Sequence, residues 1–470
     1  RQFVLIAISG SIGAGLFIAS GDALQRGGPG SLVLAFAIVG LAVWLTMCSL
    51  GELASTIPTR GSFYDYSVRF ISESWGFAMG WNYVVNFMLL VGFEITVIVR
   101  LARFWTAGEG PSIVSSGLIS VVPACLVLLA ALQCFGPRWY GEAEHLFGLL
   151  KLGVLTVFVG TAVVIAAGGT EEAGGRGFEN YLHNQAFRNS FPGFISVLAA
   201  AGLAYGGTEM LGLTAASTSI APRTSTSTTT TTTTVNPTRQ TLLMPLGAKL
   251  VALRILLCYC LSLFMLGLVL HPSVLDQPHI ASLTASPFVI AVQSAGIAYL
   301  PSIINAVLIA SVFSMANAAV FASSRALVAI CERGMGPRFL VGGNYVPWPA
   351  LAIVLAVSML AWLAAVHNGT EVFEWLLALA SVSNMLTWAS INICHIRFRR
   401  ALRLQAQAQA ASSSSSNLIS STNSTRPLVN FRTTIPTTST HATTPQALLF
   451  IRGILGFVVV ALFYFGHLGW

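Results

Sequence analysis

Apolar runs of about 20 residues recur along the whole chain, and short polar segments separate them. An α-helix needs about 20 mostly apolar residues to cross the hydrocarbon core of a bilayer. The pattern therefore predicts eleven membrane-spanning helices, at 2–20, 31–50, 77–99, 117–135, 146–167, 191–215, 251–270, 302–331, 350–366, 373–395 and 448–465.

The composition agrees with a membrane protein. Hydrophobic residues make up 55% of the 470 positions and charged residues only 9%, whereas soluble domains carry about 25% charged residues. Such a chain lacks the polar side chains that would cover a soluble globule. We therefore expect an all-α, polytopic bundle embedded in the lipid bilayer.

The net charge of +8 is interpreted as a sign of topology and not of affinity for nucleic acid. Lys and Arg are enriched in the cytoplasmic loops of membrane proteins, and the cluster Arg397, Arg399, Arg400 and Arg403 follows the tenth run. Two arginines after the third run oppose this assignment. The cluster nevertheless predicts a cytoplasmic N-terminus.

The first apolar run is interrupted by Gly10, Gly13 and Gly15. Glycine costs about 1 kcal/mol in a helix interior, so the helix is expected to unwind there. Irregular backbone survives at membrane depth only against protein, ligand or water, and broken helices that face a substrate are typical of secondary transporters. The alternative is a seam where small residues pack two continuous helices together. This segment alone favours neither.

Two polar stretches of low complexity divide the chain. A Ser/Thr run covers 217–235, and a stretch rich in Gln, Ala, Ser and Thr covers 401–446. Neither buries enough apolar surface to offset the entropy of ordering, so we expect disordered cytoplasmic segments. The predicted organisation is a ten-span core at 1–400 that contains the insertion, a linker at 401–446, and an eleventh span in 447–470.

Several motifs resemble those of one family. They are Gly-Ser-Ile-Gly-Ala-Gly-Leu-Phe at 10–17, Gly-Gly-Pro-Gly at 27–30, Pro-Thr-Arg-Gly-Ser-Phe at 58–63, Gly-Phe-Ala-Met-Gly-Trp-Asn-Tyr at 76–83, Gly-Thr-Glu at 207–209, Ser-Met-Ala-Asn at 314–317 and His-Ile-Arg-Phe-Arg at 395–399. Together they resemble the amino acid permeases of the amino acid-polyamine-organocation superfamily, most closely its fungal branch. The match extends from Gln2 to about Arg400, apart from the Ser/Thr run.

The resemblance implies a transporter fold built as a five-plus-five inverted repeat, with a discontinuous first and sixth helix. In the sixth run, glycines at Gly202, Gly206 and Gly207 independently predict such a break.

The chain departs from the family pattern at two places. The Ser/Thr insertion precedes Asn-Pro-Thr-Arg at 236–239, and the acidic residue of this family loop is absent, which puts its gating contact in doubt. After Arg400 the family continues into two closing helices, whereas this chain offers one apolar run, and it begins at Arg1 without the family's polar tail. A fragment without transport activity is therefore kept as an alternative.

An amino acid substrate brings a carboxylate and an ammonium, and the sequence offers partners for both. The positive end of a half-helix favours an anion, so the carboxylate is expected at the backbone amides of Ser11, Gly13, Ala14 and Gly15. The ammonium is expected at carbonyls freed by the second break, those of Ala204, Tyr205, Gly206 and Gly207. Where Ala14 stands, family members usually carry Thr, so one hydroxyl contact is missing.

For two further residues at the second break, the sequence leaves two possible roles each. The resemblance makes Tyr205 an aromatic lid over the substrate, and the alternative is a tyrosine of the core. Glu209 either lines the substrate path or caps backbone groups that the break leaves free.

Ionisable residues within membrane spans are costly and are treated as functional hypotheses. The resemblance implies that Glu94, near the extracellular end of its span, takes part in proton coupling; the alternative is an interfacial glutamate paired with Arg100. It also places Lys151 where sodium-coupled relatives hold their ion, so that a buried ammonium would load and release the proton. The alternative for Lys151 is snorkelling to the surface.

Ser311 and Ser314 would face the same region as Lys151, although serines in membrane helices often bond only their own backbone. The seven cysteines show no disulfide or metal framework. No metal site and no cofactor are predicted, and the proton is the expected coupling ion.

These observations predict a secondary active transporter that moves amino acids across the plasma membrane by proton symport. An amino acid sensor built on the same fold is the main alternative. A membrane-embedded enzyme is not expected, because the histidines lie in loops or at the ends of spans. The absence of a Gly-x4-Gly-Lys-Ser/Thr loop argues against a primary pump. The sequence predicts no oligomeric state.

Overall fold

The computed structural model describes residues 10–57, 63–106, 111–135, 137–169, 178–182, 186–212, 237–277, 286–341, 347–362 and 369–416. The Ser/Thr insertion at 217–235 and the predicted eleventh span in 447–470 lie outside the described residues.

The described residues form helices joined by short turns, and none of them forms a strand. The helices are α1 (Ala14–Phe17), α2 (Ala19–Thr56), α3 (Phe63–Phe70), α4 (Glu73–Thr106), α5 (Pro111–Cys134), α6 (Pro137–Ala166), α7 (Glu179–Leu182), α8 (Ser190–Ala204), α9 (Pro237–Arg254), a π-helix (Ile255–Leu261), α10 (Ser262–Val269), α11 (Pro272–Leu275), α12 (Pro287–Gln293), α13 (Leu300–Glu332), a 3₁₀ turn (Arg338–Leu340), α14 (Trp348–Ser358) and α15 (Gly369–Ser416). The all-α prediction is confirmed.

Six helices of the described part are long and apolar enough to cross a membrane, and three shorter apolar helices accompany them. These nine correspond to the second to tenth predicted runs. The chain is therefore a multi-pass integral membrane protein.

The central helices are α4 and α13, which pack along each other and are the most deeply buried of the long helices. α2 packs along α8. The outer face of α2 carries Leu34, Ile38, Leu41 and Leu45, all about half exposed. Their spacing of three or four residues places them on one face, which is the face expected to meet lipid.

The structure corrects two predicted boundaries. The first and second runs are joined without an intervening loop, because the segment α2 (Ala19–Thr56) consists of two helices that meet at a kink at Gly28. Gly28 has φ 80° and ψ 169° and precedes Pro29. That conformation suits glycine, and the following proline cannot donate a helical hydrogen bond.

The second correction concerns the predicted linker. α15 continues to Ser416, so the expectation of disorder from 401 onward is wrong for 401–416. The sequence there is dominated by Ala, Leu, Gln and Arg up to Ala411, residues with high helix propensity. That propensity extends a helix already nucleated in the membrane.

Candidate functional site

The first and sixth membrane segments are both broken, as predicted. Gly10–Gly13 is not helical, and α1 begins only at Ala14. In the sixth segment, α8 ends at Ala204, residues 205–209 form turns, and Gly207 has φ 85°. The two breaks are five spans apart, as an inverted repeat of five helices requires.

The two broken segments lie directly against each other. A Cβ atom added to Gly15 would stand 2.4 Å from the Cα of Ala204. Gly15 therefore serves close packing, the role of the alternative interpretation, while Gly10–Gly13 provides the break. Both interpretations apply, each to a different part of the glycine motif.

Glu94 occupies the amide end of α1. The Ala14 N–H donates a hydrogen bond to Glu94 Oε2 at 3.3 Å, and the helix has no cap from the Gly13 position. Glu94 is only 2% exposed. The amide predicted for a substrate carboxylate thus holds a carboxylate of the protein itself. The interfacial alternative for Glu94 is wrong, because the side chain is buried against the first break.

Lys151 is fully buried, with 0% exposure. A snorkelling lysine keeps its ammonium in water, so that alternative is wrong. Two buried carboxylates, those of Glu144 and Glu94, contribute to the electrostatic environment of the Lys151 ammonium.

Glu144 is a residue that sequence reasoning missed. It lies seven positions before Lys151 on α6 and is 2% exposed. Seven residues make about two helical turns, so both side chains share one face. That spacing was the only available signal, and it does not reveal which helix the face meets.

The two candidate serines on α13 differ in what they bind. Ser311 Oγ donates to the Val307 carbonyl at 2.8 Å, one turn earlier in its own helix. Ser314 Oγ instead lies 3.1 Å from each carboxylate oxygen of Glu144. The backbone alternative therefore holds for Ser311 only, and Ser314 binds the buried carboxylate of Glu144.

Tyr205 belongs to the core in this conformation. Its ring is fully buried and lies 4.4 Å from that of Tyr259, and its hydroxyl donates to the Phe36 carbonyl at 3.0 Å. A lid over a substrate requires a different position of this ring. The core alternative describes the present arrangement.

Tyr259, also missed from the sequence, bridges the two breaks. Its hydroxyl lies 2.9 Å from the Ala204 carbonyl and 3.2 Å from the Ser11 carbonyl. It sits in the middle of the π-helix Ile255–Leu261. Such segments occur frequently at functional sites, and the apolar run 251–270 gave no sign of one.

Carbonyls predicted for the substrate ammonium already have donors. Tyr259 reaches the Ala204 carbonyl, and Thr208 Oγ1 donates to the Tyr205 carbonyl at 2.7 Å. An ammonium would compete with these hydroxyls. Hydroxyl groups rotate readily, so they form replaceable partners.

Glu209 points towards α15. Its Oε2 accepts a hydrogen bond from Trp388 Nε1 at 3.2 Å, and the side chain is 1% exposed. Nearby, Arg254, 2% exposed, donates to Thr208 Oγ1 at 2.6 Å. Glu209 therefore connects the second break to α15, and the backbone N–H groups of Gly207 and Glu209 also face its carboxylate, in agreement with the capping interpretation.

A cavity opens beside both breaks. It is lined by Gly10, Ser11, Tyr140, Gly207, Thr208, Met210, Leu211, Val251, Arg254 and Ala318. The space next to Gly13 is different, since a Cβ there would meet Met315 at 2.9 Å and Glu94 Oε1 at 3.0 Å. Of the two places, the cavity leaves space beside the unwound backbone, about 10 Å³, which holds no more than a water molecule in this conformation.

Polar contacts tie the helices together at both ends of the bundle. At one end Asp276 accepts from Gln25 at 3.0 Å and from Arg188 at 2.9 Å. These two hydrogen bonds lower the pKa of Asp276 below its ordinary value, that from Gln25 having the larger effect. At the other end Glu52 Oε2 lies 2.8 Å from both His395 and Arg399.

Comparison with known proteins identifies the family. The family model for amino acid permeases matches residues 2–470. An uncharacterised amino-acid permease of Schizosaccharomyces pombe is 37% identical over 86% of this chain and 66% of its own length. The general amino-acid permease GAP2 of Candida albicans is 36% identical over 100% of this chain and 77% of its own length.

A third relative, cationic amino acid transporter 1 of Schizosaccharomyces pombe, is 34% identical over 86% of this chain and 66% of its own length. The chain thus spans about two thirds of the length of two of these relatives. The solved structure of Mhp1, a nucleobase-cation-symport-1 family transporter with bromovinylhydantoin bound, is similar over 80% of this chain and 73% of that chain, with 13% identity and a TM-score of 0.48. A likeness at that level does not establish the arrangement of the helices. The family model matches residues 2–470, and the relatives named above are more than 30% identical to this chain. The chain therefore belongs to the amino acid permease family.

Proposed function

We propose that this chain is a secondary active transporter that moves amino acids across a membrane by proton symport and alternating access. The named relatives support amino acids as the substrate class, since one is called a general amino-acid permease and another a cationic amino acid transporter. The observation that carries the coupling mechanism is the contact between the Ala14 amide and Glu94, next to buried Lys151.

The substrate carboxylate takes the place of Glu94 at the Ala14 amide. A helix amino terminus binds either anion, because both satisfy the free amides and the helix dipole. The substrate ammonium meanwhile replaces the hydroxyls of Tyr259 and Thr208 at the carbonyls of the second break. Both ends of the zwitterion then complete the bonding of backbone that the breaks leave unpaired.

Displacement of Glu94 links substrate binding to the proton. A carboxylate that loses its hydrogen bond in a site closed to water is costly unless it is paired with a cation or protonated. A protonated Lys151 supplies that cation, so substrate binding favours the state in which the site holds the proton. Substrate and proton therefore bind together, which is what symport requires.

A transport assay tests this proposal. Purified protein in vesicles takes up labelled amino acids under an imposed pH gradient, and we compare wild type with Lys151→Ala and Glu94→Gln. Both variants should lose gradient-driven uptake by at least tenfold, since each removes one charge of the coupling pair. Lys249→Ala, an exposed lysine on α9, serves as the control and should match wild type.

Wild-type uptake that ignores the gradient would refute proton symport. Amino acid binding without any uptake would instead indicate the sensor, or a chain that lacks a segment needed for transport.

The plasma membrane is the proposed location, with the N-terminus on the cytoplasmic side. The arginine cluster at 397–403 supports this orientation through the positive-inside rule. An epitope tag at the N-terminus should be reached by antibody only after the cells are permeabilised. Labelling of intact cells would reverse the orientation.

A further inference from the structure

The carbonyl groups at the end of α8 show how the second break is held. In a continuous helix the Gly206 N–H would donate to the Gly202 carbonyl, but here it donates to the Leu203 carbonyl at 2.9 Å. The break therefore takes the helical donor away from Gly202. A side chain of α15 replaces it, because Asn384 Nδ2 donates to the Gly202 carbonyl at 3.2 Å. A buried carbonyl needs such a donor, and Asn384 is itself buried.

The amide of Asn384 is fixed from two sides. Asn86 Nδ2, on α4, donates to Asn384 Oδ1 at 2.9 Å, so the amide oxygen faces Asn86 and the amide nitrogen faces Gly202. Gly206 allows the amide to come close, since a Cβ atom there would collide with Asn384 Nδ2. The hydroxyls at the neighbouring carbonyls rotate readily, whereas an amide bonded in this way has one orientation. Asn384 is thus a fixed donor at the break.

The same face of α15 also contacts the chain beyond the break. Trp388 Nε1 donates to Glu209 Oε2 at 3.2 Å, and Trp388 lies about one helical turn after Asn384. Ser381, on the other side of Asn384, donates to the Ala199 carbonyl of α8 at 2.8 Å. Side chains at this spacing share one face of a helix. The irregular backbone of the break is therefore spanned by a regular helix.

We propose that Asn384 is a positioning residue for the substrate ammonium, and that it holds the end of α8 in place while the substrate displaces the hydroxyl donors at the next carbonyls. Those carbonyls belong to Ala204 and Tyr205, and their donors are the hydroxyls of Tyr259 and Thr208. When the ammonium replaces these hydroxyls, the Asn384 contact remains, because it does not depend on them. This inference deepens the proposed function and rests on it.

The chain offers a matched control on the same helix. Asn392 is also an asparagine of α15 that bonds another helix, since its Nδ2 donates to Thr46 Oγ1 of α2 at 2.8 Å. Asn384→Ala and Asn392→Ala therefore remove the same group from α15, the first at the break and the second about two turns away. Trp388→Phe keeps an aromatic ring and removes the N–H that reaches Glu209.

The experiment measures the initial rate of uptake into vesicles over a range of substrate concentrations. The probe is the labelled standard amino acid that wild type takes up fastest, and the competitor is the α-hydroxy acid with the same side chain. Asn384→Ala should raise KM for the amino acid about tenfold, the effect of a lost hydrogen bond at the site, and leave the maximal rate nearly unchanged. Trp388→Phe should raise KM less, and Asn392→Ala should leave it unchanged.

The α-hydroxy acid separates the ammonium from the rest of the substrate. Its hydroxyl gains far less from the carbonyls of the break than a charged ammonium does. It should therefore inhibit wild type and Asn384→Ala at nearly the same concentration.

A double variant tests the close contact at Gly206. Gly206→Ala places a methyl group where the Asn384 amide lies, so it should raise KM in the same way as Asn384→Ala. In the double variant the amide is gone, and the added methyl group should cost little more. A rise in KM equal to the product of the two single effects would show that the two residues act independently, which contradicts the inference.

Three further outcomes overturn the inference. An unchanged KM in Asn384→Ala with a lower maximal rate indicates a purely structural role. An equal rise of KM in Asn392→Ala indicates a general effect of loosening α15, and an equal loss of inhibition by the α-hydroxy acid indicates damage to the whole site. If Asn384→Ala does not reach the membrane, Trp388→Phe decides, and an unchanged KM there counts against the inference. Failure of the proposed function is seen separately, as wild type that takes up no amino acid, and the inference falls with it.

Discussion

Single residues decide how closely the two broken segments approach. Gly15 lets α1 touch the end of α8, where any Cβ would collide with backbone atoms of Ala204. Backbone cannot move aside as a flexible side chain does. The breaks at Gly10, Gly13 and Gly207 were predictable because glycine lowers helix propensity wherever it stands.

Gly15→Ala is therefore expected to separate the two breaks. Overpacking of this kind costs about 1–3 kcal/mol, so the melting temperature in detergent should fall and uptake should be lost. Gly153→Ala on α6 is the matched control, since a Cβ there meets nothing within 4 Å. That variant should keep wild-type uptake and melt no lower, because alanine is the better helix former. Equal behaviour of the two variants would contradict the close approach.

The hydrogen-bond partners of the site residues were much harder to predict from the sequence than the breaks. Ser314 and Glu144 are 170 positions apart in the chain, and Tyr259 and Ala204 are 55 apart. Hydrophobic periodicity reports which face of a helix is buried, but not which helix it meets. The sequence therefore indicated Ser314 as a candidate without indicating the carboxylate of Glu144 to which its hydroxyl binds.

At the scale of elements, the π-helix between α9 and α10 is the feature that joins the breaks. Tyr259, within this π-helix, has its hydroxyl within hydrogen-bonding distance of carbonyls from both segments. A π turn rotates the following residues relative to a regular helix, so it sets where this hydroxyl points. The apolar composition of run 251–270 predicted a helix correctly but gave no information on this irregularity.

Tyr259→Phe should loosen the contact between the breaks. It leaves buried carbonyls without a donor, at a cost of about 1–3 kcal/mol, and we expect a lower melting temperature together with weaker uptake. Tyr299→Phe is the control, because Tyr299 is 86% exposed. A Tyr259→Phe protein as stable and active as Tyr299→Phe would show that the hydroxyl has no such role.

At the scale of the whole molecule, the bundle is held by polar contacts at both ends. Asp276 binds Gln25 and Arg188 at one end, and Glu52 binds His395 and Arg399 at the other. Gln25 and Glu52 lie on the two helices that meet at the Gly28 kink of α2, so this one stretch of chain takes part in both sets of contacts. Alternating access, as proposed here, requires each set to open in turn while the other holds.

The stabilisation that Asp276 provides through its contacts with Gln25 and Arg188 depends on pH in a defined way. Its pKa is lowered in the folded protein, so its contribution is fully present above the unfolded value of about 3.9 and is lost as the pH falls through the folded value. The side chains are partly exposed, which keeps the effect small. The difference in melting temperature between wild type and Asp276→Asn should therefore be small and constant at neutral pH, and it should shrink progressively as the pH falls below the unfolded value. A difference that does not shrink on acidification would exclude the ionised carboxylate as its source.

The length of α15 has a mechanical consequence. Its 48 residues extend about 72 Å at 1.5 Å per residue, more than twice the roughly 30 Å of hydrocarbon. The part beyond Arg399 is about 25 Å long and extends away from the bundle. A tilt of about 5° in the membrane displaces its tip by roughly 2 Å relative to its base, so a fluorophore near Gln409 would report the movement of the tenth span that the proposed alternating access requires.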